Sequence, residues 1–225
     1  METNINLKPE YAMLEVTLQP GEKLVAESGA MVAMDSDIKL TSKSRGGMLK
    51  GLKRKMLGGE SFFQSTFEAE SKPATVYLAP GAPGDIIGKE LAENESIMIQ
   101  SSCYMASTES VQLDTKWGGA KGFFSGTGMF LLKATGPGFV WLTSFGAMDE
   151  IDVETEYVLD TGHIVAFEQT LEYKISKVGG LKGMFLSGEG FVARFSGQGK
   201  LYFQTRNPDS FASFLHPFRP VKNNN

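Results

Sequence analysis

Reactive side chains are scarce in this sequence. It contains one cysteine, Cys103, and two histidines, His163 and His216. A single cysteine excludes an intramolecular disulfide and fits a reducing compartment. No histidine or basic residue adjoins Cys103, so it reads as a buried strand thiol and not as a nucleophile. Two histidines and one thiol leave too few nitrogen and sulfur ligands for a zinc centre. Long apolar runs are missing as well. The most apolar stretch, residues 122–142, is broken by Lys133 and several glycines, which excludes a spanning helix there. Residues 1–13 lack the basic start and apolar run of a secretory signal, and Lys8 is the sole basic residue before Lys23. The expectation is a cytoplasmic, bacterial-type chain, with peripheral membrane association left open.

The usual chemical signatures are also lacking. Gly197-Gln-Gly-Lys-Leu201 has neither the spacing nor the hydroxyl of a phosphate-binding loop. Gly126-Thr-Gly128 and Gly188-Glu-Gly190 lack the third glycine and the following helix of a dinucleotide site, and read as hairpin turns. Phe124-Ser-Gly126 is not a nucleophile elbow. His163 takes the place held by Ala30 and Cys103 in corresponding segments, which favours a residue at the start of a strand over a general base. No catalytic residue, cofactor or metal ligand is expected, and enzymatic activity is not.

What the chain has in excess is glycine, 26 residues of 225, grouped at turns. Three segments align: Glu27-Ser-Gly-Ala-Met-Val-Ala33, Gln100-Ser-Ser-Cys-Tyr-Met-Ala106 and Asp160-Thr-Gly-His-Ile-Val-Ala166. A glycine pair follows each alanine after 13, 12 and 13 residues. A third turn then comes at Ser71-Lys-Pro73, Gly136-Pro-Gly138 and Gly197-Gln-Gly199. An aromatic and aliphatic run ends each segment: Ala74 to Leu78, Phe139 to Leu142 and Lys200 to Gln204. Short β-branched and aromatic runs bounded by glycine are antiparallel strands. The expectation is one all-β domain over residues 1–219, made of three pseudo-equivalent antiparallel units at about 13–80, 85–145 and 148–207. Asp209-Ser-Phe-Ala-Ser-Phe-Leu215 predicts a short helix ended by Pro217, and residues 220–225 a disordered tail.

Several of these strings, Glu60-Ser-Phe-Phe-Gln-Ser-Thr-Phe67, Asp160 to Glu168, Ser187-Gly-Glu-Gly-Phe191 and Gln204-Thr-Arg-Asn207, resemble the altered-inheritance-of-mitochondria (AIM) family. The resemblance runs from about Met13 to Leu215. It implies a TRAP-like β fold with three internal repeats, assembly into symmetric homo-oligomers, and a link to mitochondrial biogenesis and inner-membrane organisation. It supplies no catalytic residues.

Charge is distributed unevenly. The net charge is −4, yet between Asp37 and Glu60 lie seven basic residues and no acid, which leaves −11 on the rest. That overall sign argues against wholesale nucleic-acid binding. Within the basic stretch, Met48, Leu49, Leu52 and Met56 share one side of a helical wheel; Lys50, Lys53 and Arg54 lie opposite, with Lys55 near the apolar edge. These four cations are the candidate contacts for an anionic membrane surface or a membrane protein. A second charged pattern, Glu150, Asp152, Glu154 and Glu156, alternates with apolar residues and predicts four carboxylates on one strand face. It reads as a solvated face, with divalent-cation binding as the functional alternative. The whole points to a self-assembling scaffold or adaptor, with an RNA- or small-ligand-binding module as the rival reading.

Overall fold

The computed structural model describes residues 1–44, 63–114, 130–177 and 191–219. Strands β1 (Glu2–Asn6) to β7 come first: β2 Met13–Leu18, β3 Lys23–Glu27, β4 Met31–Met34, β5 Ile38–Ser44, β6 Phe63–Ala69 and β7 Ala74–Leu78. Next are β8 Ile86–Leu91, β9 Ser96–Gln100, β10 Tyr104–Thr108, β11 Gln112–Asp114, β12 Leu131–Thr135 and β13 Gly138–Thr143. The last six are β14 Met148–Val153, β15 Glu156–Asp160, β16 Ile164–Glu168, β17 Glu172–Lys177, β18 Phe191–Ser196 and β19 Gly199–Gln204. Helix α1 (Pro208–Leu215) follows. All named strand pairs are antiparallel, and the strands form four sheets. The all-β expectation holds.

Strand alternation explains how the sheets bury their inner faces. Leu14, Val16 and Leu18 on β2 are buried and lie opposite Leu78, Val76 and Ala74 on β7. The intervening Glu15 and Thr17 face Tyr77 and Thr75, and Thr17 Oγ1 lies 3.0 Å from Thr75 Oγ1. Apolar pairs on one face and polar pairs on the other fix the register, because a one-residue slip would exchange them.

Strand pairing recurs at a stride of six. β7 lies between β2 and β4, β13 between β8 and β10, and β19 between β14 and β16. Likewise β6 lies between β3 and β5, β12 between β9 and β11, and β18 between β15 and β17. Two further pairings, β3 with β10 and β9 with β16, join these groups into two six-stranded sheets. The register slips at the same place each time: between Met31 and Ala33, Tyr104 and Ala106, and Ile164 and Ala166.

Each aligned segment from the sequence is a strand–corner–strand unit and not one strand. Gln100 ends β9, Ser101–Cys103 form a 3-10 turn, and Tyr104 opens β10. Asp160 ends β15, Thr161–His163 form the matching turn, and Ile164 opens β16. Asp160 fixes that corner by accepting from the Gly162 amide at 2.7 Å. Two of the third turns need glycine for a backbone reason: Gly138 has φ +141° and Gly197 φ +112°. A Cβ on Gly138 would also collide with Thr108 Oγ1.

The core falls into three clusters. The first centres on β2, β3 and β7 and also takes Met105 and Ala106 from β10. The second centres on β9, β12 and β13 and takes Val165 and Ala166 from β16. The third gathers Phe167, Ala193, Phe195 and Leu201 with Met98 and Leu131.

Candidate interaction surfaces

The cations singled out in the sequence, Lys50, Lys53, Arg54 and Lys55, lie outside the described residues. So do the expected tail at 220–225 and the glycine pairs.

The acidic stripe is not one strand face. β14 ends at Val153, Glu154 sits in a corner, and Glu156 opens β15 in a different sheet. The chain has to turn there because β14 pairs with β19 whereas β15 pairs with β18. Glu150 and Asp152 do share a face, and Lys200 from β19 occupies the space between them, at 2.6 Å and 3.3 Å. The hydrogen bonds that Lys200 donates to Glu150 and then Asp152 raise its pKa above the ordinary value. The positive charge facing these acids is therefore supplied by the chain itself. Among the described residues, no group of three or more His, Cys, Asp or Glu side chains is placed to hold a metal ion.

A more enclosed charged group was not read from the sequence. Lys89 on β8 reaches Glu168 on β16 at 3.0 Å and Glu95 at 3.6 Å. Glu168 also accepts from the Lys200 amide at 3.0 Å, and the Tyr202 ring lies 6.0 Å from the Lys89 ammonium. Burial pushes the Glu168 pKa up, but the Lys200 amide and the Lys89 ammonium outweigh it and hold the carboxyl below its usual value. Burial likewise lowers the Lys89 pKa, and its hydrogen bond to Glu168 and the neighbouring charges reverse the sign. Glu168 stands 79 positions from Lys89 and shares no motif with it, so only tertiary pairing could bring them together.

Cys103 is buried, and its burial pushes the thiol up to about 12, which suppresses the thiolate. His163 Nδ1 donates to the Gln204 carbonyl at 2.7 Å and so locks its corner against β19. Both occupy the corner just before a strand, close to the expected position.

Exposed apolar side chains group at two places, apart from single residues such as Leu7 and Tyr11. α1 is capped by Asn207, whose Oδ1 accepts from the amides of Asp209 and Ser210 at 2.9 and 3.3 Å. The expected helix is present, with Asn207 and not Asp209 at its cap. None of its residues is buried: Phe214 is 64% exposed and Phe218, in the following 3-10 turn, is 73% exposed. Phe145 holds the helix to the body through the Phe211 ring, 5.2 Å centroid to centroid. The second place is the pair of sheet edges formed by β4 and β15, which carry Met31, Val32, Met34, Tyr157 and Val158.

A family model described as mitochondrial biogenesis AIM24 matches residues 4–206. The chain belongs to the AIM24 family. An uncharacterized protein of Streptococcus pyogenes serotype M6 is 29% identical over 235 residues, covering 100% of this chain and 93% of the relative. The X-ray crystal structure of a Streptococcus pyogenes protein superposes with a TM-score of 0.82 at 26% identity, covering 97% of this chain and 99% of that one. AIM24 membership thus spans β1 to β19 and leaves α1 beyond the matched residues. Within the described residues, no helix is long and apolar enough to cross a membrane, which says nothing about strands.

Proposed function

We propose that this AIM24-family protein is a non-enzymatic scaffold, built of three related six-strand units, that assembles with copies of itself and docks on an anionic membrane surface. The observation that supports docking is the aromatic segment at residues 208–218, which leaves Phe211, Phe214, Leu215 and Phe218 exposed and buries none of its residues. Aromatic and aliphatic side chains on a short helix gain by entering the headgroup boundary. Arg219 follows directly, and the basic stretch with Lys50, Lys53, Arg54 and Lys55 adds further cations. Each cation near an anionic surface contributes on the order of 1 kcal/mol. Weak contacts of this size become effective when an assembly presents several copies together.

Co-sedimentation with liposomes tests the docking. Wild type is expected to pellet with vesicles containing anionic lipid at low salt, and less at physiological salt. Phe214→Ser with Phe218→Ser, and separately Lys50→Glu with Lys53→Glu and Arg54→Glu, should each reduce the pelleted fraction several-fold. A folded wild type that stays in the supernatant with every vesicle composition overturns membrane docking.

A further inference from the structure

We infer that the protein docks end-on, with Leu7 and Tyr11 on the turn between β1 and β2 entering the lipid beside Phe214 and Phe218 of the terminal segment. This rests on the membrane docking proposed above and adds to it a second contact element and an orientation.

The turn and the helix are distant in sequence but linked in space. Asn6 at the end of β1 pairs with Met13 at the start of β2, so residues 7–12 form the tip of that hairpin. The Ala12 amide donates to the Gly84 carbonyl at 3.0 Å. Gly84 bridges to Gly146, and the Gly146 amide donates to the Pro83 carbonyl at 2.9 Å. A Cβ on Gly84 would collide with the Ser144 carbonyl, so these two loops touch backbone to backbone. The Arg206 amide donates in turn to the Phe145 carbonyl at 3.3 Å, and the Phe145 ring carries Phe211 of α1. One ladder therefore runs from the first hairpin to the last helix across the β7–β8 and β13–β14 connections. Lys8 braces it, its ammonium lying 3.4 Å from the buried Asp85 carboxylate.

The hairpin tip is as open as the terminal segment. Leu7 is 68% exposed and Tyr11 73%, matching Phe214 and Phe218. Leu7 also has φ +59°, a left-handed backbone that suits glycine or asparagine and penalises a bulky side chain. Little burial offsets that strain, so folding alone gains nothing from a leucine at this position. A strained apolar residue held in the open points to a contact outside the fold.

A bilayer fits this end better than a protein partner does. The apolar groups sit on two separate elements, a hairpin tip and a short helix with no buried residue, and not in a groove. Tyrosine belongs at headgroup depth, and phenylalanine and leucine just below it. Charge agrees with an anionic layer. Arg206 and Arg219, both exposed, flank α1 and offset Glu10 and Asp209. The surplus of positive charge comes from Lys50, Lys53, Arg54 and Lys55, whose stretch leaves β5 at Ser44 and returns to β6 at Phe63. Ser44 and Phe63 pair one step beyond Gln64 and Glu27. Glu27 leads into the corner before β4, where Met31 pairs with Leu78 at the β7–β8 connection. The residues flanking the basic stretch therefore lie at the same end as the hairpin tip and α1. Cations around apolar tips complement anionic headgroups.

Vesicles of equal parts phosphatidylserine and phosphatidylcholine test this with the full chain. Leu7→Cys, Phe218→Cys and Phe139→Cys are each labelled with an environment-sensitive fluorophore; the native Cys103 is buried. Phe139 is 40% exposed but lies at the start of β13, the far end from Phe145, and serves as the control. The labels at positions 7 and 218 are expected to shift to the blue and to be quenched by lipid brominated on its acyl chains, whereas the label at 139 is not. Leu7→Asn with Tyr11→Ser should cut the pelleted fraction several-fold and leave the urea midpoint at or above that of wild type, because asparagine accepts the positive φ. A label at 7 that does not respond beside one at 218 that does overturns the end-on contact and leaves docking through α1 standing. So does a Leu7→Asn, Tyr11→Ser variant that pellets like wild type. A label at 139 that responds as strongly as the other two overturns the orientation. A folded wild type that never pellets overturns this contact and membrane docking together.

Discussion

Glu168 shows how single side chains hold neighbouring groups of strands together. Its carboxylate takes a charge-assisted hydrogen bond from Lys89 and another from the Lys200 amide, so it ties β8 and β19 to β16. Because its folded pKa lies below the ordinary glutamate value, its stabilisation is fully present above about pH 4.3 and fades as pH falls through the folded pKa. Glu168→Gln should therefore cost about 1.5–3 kcal/mol at pH 7, as charged hydrogen bonds do. The gap between variant and wild type should narrow below about pH 4.3. Urea unfolding at pH 7 and at pH 3 checks this; an equal gap at both would assign the cost to packing. Asp37 is held lower by a different device, in which the Ser71 hydroxyl and the Ser71 and Lys72 amides bring it to about 2. That device stabilises the turn before β7, and the sequence signalled it only as Ser71-Lys-Pro73.

At the scale of elements, α1 stands apart from the strands. Its start is secured locally by Asn207 and Pro208, with Asp209 in the first turn. Asn207→Ala should destabilise the helix by about 1 kcal/mol, the usual cost of a lost cap. The global melting temperature should move little, since α1 buries none of its own residues. Faster amide exchange confined to residues 208–215 is the expected signature; an equal loss of protection in β19 would show that the helix supports the sheets. The position of this helix was legible because Asp209, Phe211, Phe214 and Leu215 follow helical spacing. Its exposure was not, since the same Phe spacing also describes a helix packed on a core. The strands at 74–78, 138–143 and 199–204 were legible for the complementary reason, that glycine or proline turns bound β-rich runs. The acids at 150–156 misled because period-two alternation continues across the Glu154 corner, where the strand changes sheets.

For the whole molecule, the pairings of β3 with β10 and β9 with β16 place residues of neighbouring six-strand stretches in shared cores. Unfolding should accordingly be cooperative across the chain. Trp141 belongs to the first cluster and Phe195 to the third. In a Trp117→Phe background, Phe195→Ala should lower the urea midpoint reported by Trp141 fluorescence and by far-ultraviolet circular dichroism together. A Trp141 midpoint left unchanged would mean that the stretches unfold independently. Phe195→Ala itself should cost about 3–5 kcal/mol, as for other buried aromatic deletions.

The sequence by itself determined the class of the fold, the strands that close the three aligned segments, the turns before them, the terminal helix and the resemblance to a family. These follow from local chemistry: side-chain alternation, β-branched propensity, glycine at positive φ and helical spacing. Tertiary structure alone decided which strands are neighbours, because antiparallel pairing joins residues with no fixed sequence separation. It brought Lys89 to Glu168 and put Lys200 between Glu150 and Asp152. Among the described residues it also left β4 and β15 at the ends of their sheets, whereas β10 and β16 are paired on both sides. In sequence, Met31-Val-Ala-Met34 looks as much like a core strand as Tyr104-Met-Ala-Ser107. Pairing makes the difference: β10 has β3 on one side and β13 on the other, whereas among the described residues β4 pairs with β7 alone.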